Sequence, residues 1–224
     1  MNRPDHKLWK QTSQSHFHRW AEHYDRGIIN ILLFNPSYRR VLSQLRSWQR
    51  RGVKNMRMLD IGCGTGSLAV HCFWPGSPLD CIVGLDLSEN MLRKAGEKIN
   101  LLKLADKVSL TLGDAEHLPF SDNSFDLITC CNSFHHYPHQ QRALNEMHRV
   151  LRKNGRLILI DGCRDDPWGF FIFEICVSHV ERHVHHCTRQ NFFQLLTNAG
   201  FIDISQRVFG VCPPAIINVA VADK

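Results

Sequence analysis

Between Met58 and Gly66 the chain reads Met-Leu-Asp-Ile-Gly-Cys-Gly-Thr-Gly: a short apolar run holding one acid, then three alternate glycines. Such a run predicts a strand that turns tightly into a helix, with backbone N–H groups left bare at the turn. The spacing is Gly-x-Gly-x-Gly behind an acid. It is not the Gly-x-Gly-x-x-Gly that clears a path for a pyrophosphate. A carboxylate at the strand end repels a pyrophosphate and suits a cationic, amine-bearing ligand.

From Arg57 onward, strand-like and helix-like stretches alternate. Strands are predicted at Met58–Ile61, Cys81–Leu85, Val108–Leu112, Phe125–Cys131 and Arg156–Ile160, the last opened by an Asn154-Gly155 turn. Helices are predicted at Ser67–Phe73, Ser88–Leu101 and Gln140–Leu151. Repeated βα units with near-continuous apolar strands imply a parallel sheet covered on both faces. Beyond Asp161 the reading is a loop over Gly162–Trp168 and an apolar helix over Phe170–His186. A helix capped by Thr188 and two last strands, Phe201–Phe209 and Ile216–Ala222, complete it. The expected fold is α/β: a Rossmann-like, mostly parallel seven-stranded sheet with helices on both faces and an N-terminal helical cap.

That cap spans residues 1–52, ahead of a domain at 53–224 with an insertion at about 162–187. Trp9, Phe17, Trp20, Ala21, Tyr24 and Ile28 recur at helical steps. Asn35-Pro36-Ser37 reads as a break, with Ser37 capping a second helix from Tyr38 to Trp48. The charge is uneven: residues 1–57 carry 12 Lys/Arg against 3 Asp/Glu, leaving 15 against 18 for the rest. A basic head on a mildly acidic body suits a polyanionic contact such as an anionic membrane surface. No apolar run reaches the length of a membrane span, and no signal-like segment opens the chain. Nine cysteines without a regular framework fit a reducing compartment. A cytoplasmic, membrane-peripheral protein is expected.

Two more acids follow at strand ends. Gly84-Leu85-Asp86-Leu87-Ser88 places Asp86 where a carboxylate can accept from a ribose diol, while Ser88 caps the next helix. Leu112-Gly113-Asp114-Ala115 offers an acceptor for an exocyclic adenine amine beside a small residue that leaves room for the ring. In this order, with Gly-Asp-Ala-Glu-His-Leu-Pro-Phe and Phe-Asp-Leu-Ile-Thr, the sequence resembles the class I S-adenosylmethionine (SAM)-dependent methyltransferases. Phe134-His135-His136-Tyr137-Pro138 and the run Glu146–Gly155 are similar to the branch acting in ubiquinone and menaquinone biosynthesis. The resemblance covers about residues 17–161.

The resemblance implies SAM as cofactor. Gly62, Cys63, Gly64 and Gly66 would form the loop at its methionine end, with Asp60 nearby. Asp86 and Leu87 would hold the ribose, Asp114 and Ala115 the adenine, and Asn132 would border the sulfonium. Tyr24 would close over the methionine end. His135 and His136 are the candidate general bases, since imidazole titrates in the useful range. His179, His183 and His186 fall on one face if the 170–186 stretch is helical; a polar helix end or pocket wall is expected rather than a metal site. With Phe170, Phe171, Phe173 and Ile175 this region predicts a small, apolar acceptor, such as a quinone precursor or phospholipid. Two other readings stay open: an RNA or protein methyltransferase gripping its substrate with the basic head, and a SAM-binding partner protein without activity. The end of the fourth strand lacks the Asn/Asp-Pro-Pro-aromatic tetrad of nucleic-acid amino-methylating enzymes, so nucleic acid is not the expected partner.

Overall fold

A computed structural model describes residues 28–165, 167–173, 184–210 and 213–224. It begins with helix α1 (Ile28–Arg50) and strand β1 (Met56–Ile61). Then come α2 (Ser67–His71), β2 (Leu79–Asp86), α3 (Glu89–Leu101), β3 (Val108–Leu112) and β4 (Phe125–Cys131). A single 3-10 turn (Phe134–His136) leads to α4 (Gln140–Val150), β5 (Leu151–Gly162) and a short α5 (Pro167–Phe170). Helix α6 (Arg189–Asn198), β6 (Phe201–Phe209) and β7 (Ala215–Ala222) close the chain.

The seven strands form one sheet in the order β3-β2-β1-β4-β5-β7-β6. β1 to β5 pair in parallel, and β7 runs antiparallel between β5 and β6. The order reverses between β1 and β4, and a crevice opens outside the carboxyl ends of the strands at such a switch point. Side chains alternate across each strand. Leu59, Val83, Ile128 and Leu159 enter one buried cluster with α4 and α6. Met58, Ile82, Leu127 and Ile158 enter the other, with Val41, Leu45 and Trp48 of α1. The same alternation sends Asp60 to the Met58 side and Asp161 to the Leu159 side.

Three expectations are corrected. The break at Asn35-Pro36-Ser37 does not occur, because α1 runs through Pro36. A proline inside a helix costs about 3 kcal/mol. Burial of Val41, Leu45 and Trp48 on the sheet offsets this at about 1.5–3 kcal/mol per large apolar side chain. The Asn154-Gly155 turn lies inside β5: Phe125 pairs with Leu151 and Leu127 with Arg156, so residues 152–155 bulge out, with Asn154 at φ 60°. The helix expected over 170–186 does not reach its end. Residues 184–186 are not helical, and the backbone at Cys187, a free cysteine, makes an isolated parallel β-bridge to Cys163 just past the end of β5. The segment predicted helical at residues 7–27, and the stretch 174–183 with His179 and His183, lie outside the described residues.

Candidate active site

Outside the carboxyl ends of β1 to β4 lies a cavity walled by the glycine loop, the ends of β2 and β4, and the 3-10 turn. Gly62, Gly64 and Gly66 all sit at positive φ (69°, 54° and 73°), which lets the loop curl above β1. At Gly64 a Cβ would meet nothing within 4 Å, so the backbone stands bare toward open space. At Gly62 it would lie 2.6 Å from the Cβ of Ser133, so the loop rests directly on the end of β4. Ser133 Oγ lies 3.3 Å from the Ile61 carbonyl and 3.0 Å from the Tyr137 hydroxyl, tying loop to turn.

Asp86 is the hub. One carboxylate oxygen accepts from Gly64 N–H at 2.8 Å and the other from Ser88 N–H at 2.9 Å. Burial pushes its pKa up, against these N–H groups, which favour the ionised form. The Leu87 N–H adds a third backbone donor to this carboxylate. Asp114 accepts Glu116 N–H at 3.0 Å and sits 3.6 Å from His117 Nδ1, with Ala115 beside it in the wall. Asn132 holds the left-handed conformation (φ 55°) at the end of β4. Its Oδ1 accepts the buried Ser37 hydroxyl at 3.3 Å, and its Nδ2 is buried with no partner among the described residues. An orphaned donor there costs about 1–3 kcal/mol unless a ligand's acceptor meets it.

The structure brings together most of the expected site. Gly62, Cys63, Gly64, Asp86, Leu87, Asp114, Ala115, Asn132 and His136 line the cavity. Burial, with Asp86 and Asp60 nearby, pushes the Cys63 thiol up, so it meets a ligand as a neutral group. Others stand back. Gly66 is the N-cap of α2, and His135 is buried on the far side of the turn, 2.5 Å from Asp161. Tyr24 lies outside the described residues. Phe34 and Tyr38 of α1, Met91 and Glu116 line the cavity without having been expected. The i, i+4 spacing of Phe34 and Tyr38 would have signalled one helical face had Pro36 not been read as a break.

Asp60 lies beneath the loop, only 3% exposed, and accepts the Thr129 hydroxyl at 2.7 Å. Burial raises its pKa to about 7, the Thr129 hydrogen bond opposing and the Asp86 charge adding. The native state therefore holds a proton that the unfolded chain loses near pH 4, and stability falls as pH rises from about 4 to 7. Asp60→Asn should flatten that slope in the ligand-free protein, removing up to ~4 kcal/mol of dependence. Urea titrations between pH 5 and 8 measure it; equal slopes for both proteins would contradict the assignment.

These features fit SAM. A cradle of bare backbone with the orphaned Asn132 amide donor, the Asp86 carboxylate bonded to the loop and Asp114 beside Ala115 match its amino-acid, diol and base functions. The sequence profile of the methyltransferase domain family matches residues 59–159. The demethylmenaquinone methyltransferase of Lactiplantibacillus plantarum is 35% identical over 196 residues, 78% of this chain and 80% of its own length. The methyltransferase GfsG of Streptomyces halstedii is 35% identical over 149 residues, 64% of this chain and 52% of its own. Among solved structures, a SAM-dependent methyltransferase of Aquifex aeolicus superposes with a TM-score of 0.66 at 22% identity, covering 92% of this chain and 98% of its own.

Proposed function

The chain belongs to the class I SAM-dependent methyltransferases of the quinone-biosynthesis type, and from that membership we propose that its acceptor is a small lipophilic molecule, a prenylated hydroquinone before a phospholipid. The observation that carries this is the composition of the cavity: beside the polar groups assigned to SAM, Phe34, Tyr38, Ile61, Leu85, Met91 and Tyr137 give it mostly apolar walls. The relative from Lactiplantibacillus plantarum bears the name of a quinone methyltransferase.

SAM supplies an activated methyl group on a sulfonium, so the protein's task is to align a nucleophile and keep water out. Gly62, Gly64 and Asn132 would hold the amino-acid end, Asp86 the ribose, and Asp114 with Ala115 the adenine. Tyr38 and Phe34, on α1, add aromatic surface to the cavity wall. Ser133 and Tyr137 brace the loop against the end of β4. His136, which lines the cavity, would serve the acceptor.

The outer face of α1 extends this reading to a membrane. Arg39, Ser43, Arg46 and Arg50 recur at steps of four, three and four, form one exposed stripe and line a shallow groove with Leu42. Among the described residues none of these arginines forms an ion pair with a carboxylate. A stripe of guanidinium groups opposite the helix's buried face suits anionic headgroups. No helix among the described residues is long and apolar enough to cross a membrane, so the contact would be peripheral.

One assay tests both parts. A short-chain prenylated 1,4-naphthohydroquinone, kept reduced, is offered with methyl-labelled SAM in phosphatidylcholine vesicles with or without phosphatidylglycerol. Labelled quinone is expected, formed faster on the anionic vesicles and less so at high salt. Absence of labelled quinone would remove the acceptor, and equal rates on both vesicles would remove the membrane contact.

A further inference from the structure

One hydrogen bond beside the cavity crosses from α1 to the end of β4. Ser37, 1% exposed, donates its hydroxyl to Asn132 Oδ1 at 3.3 Å. A serine inside a helix commonly turns its hydroxyl back onto the carbonyl one turn earlier; this one reaches across to another element instead. Phe34, Ser37 and Tyr38 share one helical face, and the two aromatic residues line the cavity. Further along the same helix Val41, Leu45 and Trp48 are buried on the sheet, so the hydroxyl is carried on a fixed support.

Asn132 keeps one freedom that this contact removes. Its main chain is held at φ 55°, a conformation asparagine tolerates better than most residues, and its N–H donates to the Ile160 carbonyl at 2.8 Å. Its amide is not held by the backbone, because rotation about the last side-chain bond is broad and roughly two-fold. The two ends of that amide are alike in shape and opposite in polarity: one accepts, the other donates. Ser37 takes the accepting end. The donating end, Nδ2, is left buried with no partner among the described residues. Its polarity selects among the groups of SAM, since an ammonium and a sulfonium offer no lone pair to an N–H. At the amino-acid end the acceptor is the carboxylate.

We propose that Ser37 is a positioning residue for the cofactor, which sets the Asn132 amide so that Nδ2 donates to the carboxylate of SAM. This rests on the reading that Asn132 holds the amino-acid end of SAM and not on the identity of the methyl acceptor. Without the hydroxyl the amide turns, and a reversed amide sets Oδ1 against the carboxylate, acceptor facing acceptor. The helix that walls the cavity thereby also selects for a cofactor that carries its carboxylate.

The test compares SAM with decarboxylated SAM, which keeps the amine, sulfonium, ribose and adenine. Both are titrated by calorimetry into the full chain and into Ser37→Ala, Asn132→Ala and the double variant. Alanine favours the helix, so Ser37→Ala keeps α1. Ser37→Ala should weaken SAM about five- to tenfold and leave decarboxylated SAM within about twofold. Asn132→Ala should weaken SAM at least as much, and the double variant should bind like Asn132→Ala alone, because Ser37 acts through that amide. Equal loss of both ligands in Ser37→Ala marks a merely structural role and overturns the proposal, as do losses that multiply in the double variant. Asn132→Asp is a second probe. It still accepts the Ser37 hydroxyl but puts an anionic oxygen where Nδ2 stood, so SAM should bind more weakly than to Asn132→Ala while decarboxylated SAM does not. An Asn132→Ala protein that binds SAM as the wild type does removes the placement of the amino-acid end, and the proposal with it. A weakened Asn132→Ala beside an unchanged Ser37→Ala overturns the role of Ser37 and leaves that placement standing.

Discussion

Asp86→Ala weakens SAM binding by at least about 100-fold while leaving the protein folded. The carboxylate has two tasks that fail together. It would accept two hydroxyls of the ribose, and hydrogen bonds to a charged group contribute about 1.5–3 kcal/mol each. It also accepts Gly64 N–H at 2.8 Å and Ser88 N–H at 2.9 Å. Alanine leaves the loop without the group that holds its middle glycine over the cavity. Losing two ligand hydrogen bonds alone gives about 3 kcal/mol, a factor of roughly 100, and the slackened loop adds to it. The fold should survive, because Ser88 still caps α3 through Met91 N–H and the core strands do not depend on Asp86. Burial raises the Asp86 pKa, so the ionised acceptor is lost as pH falls and binding should weaken toward acid pH in the wild type only. Calorimetric titration with SAM measures both effects. Unchanged affinity in the alanine variant would place the ribose elsewhere.

Gly62→Ala is expected to cost both stability and binding. Gly62 has φ 69°, a conformation that costs an L-residue about 1–2 kcal/mol. The added methyl would lie 2.6 Å from the Ser133 Cβ and 3.3 Å from the Tyr137 hydroxyl. Ser133 sits at the end of β4 and cannot swing aside as a long side chain would, so backbone must move at a cost of about 1–3 kcal/mol. Together these predict a Tm about 10 °C lower, using about 2–4 °C per kcal/mol for a chain of this size. Displacing Ser133 also breaks its contacts with the Ile61 carbonyl and Tyr137, so SAM affinity should fall by more than about 30-fold. Gly64→Ala is the control. Its φ is also positive, but a Cβ there meets nothing within 4 Å. It should lose only about 3–5 °C, yet still weaken binding where the methyl meets the ligand. Equal loss of stability in the two variants would contradict the packing argument.

How much of this was legible in the sequence depends on the distance over which each cause acts. The glycine loop and Asp86 are written locally. Strand, glycine turn and helix follow one another without a gap, and strand alternation fixes which way each side chain points. Asp60 was legible as an acid at a strand end. That it lies under the loop rather than in the cavity follows from its being one residue from Leu59 and Ile61, which face the other side. Pro36 misled because local propensity favours a break there, while the apolar face of α1 packs against the sheet and carries the helix through. For that reason Ser37 was read as a helix cap and not as the partner of Asn132, and Phe34 and Tyr38 were not read as one face lining the cavity. The contact of Asp161 with His135 and His186 joins three segments brought together only by the carboxyl edge of the sheet, and no periodicity in the chain announces it. His186 itself was read on a helix that does not reach it, because the apolar run ahead of it has a helical period.

The central claim is methyl transfer from SAM to a lipophilic acceptor, and it is met most directly by an assay that presumes no acceptor. The purified protein is incubated with methyl-labelled SAM and an extract of whole cells, and the products are partitioned between organic and aqueous phases. Label entering the organic phase, and absent with Asp86→Ala, is the predicted result. Label confined to aqueous polymer would contradict it and turn the arginine stripe of α1 into a surface for RNA or protein.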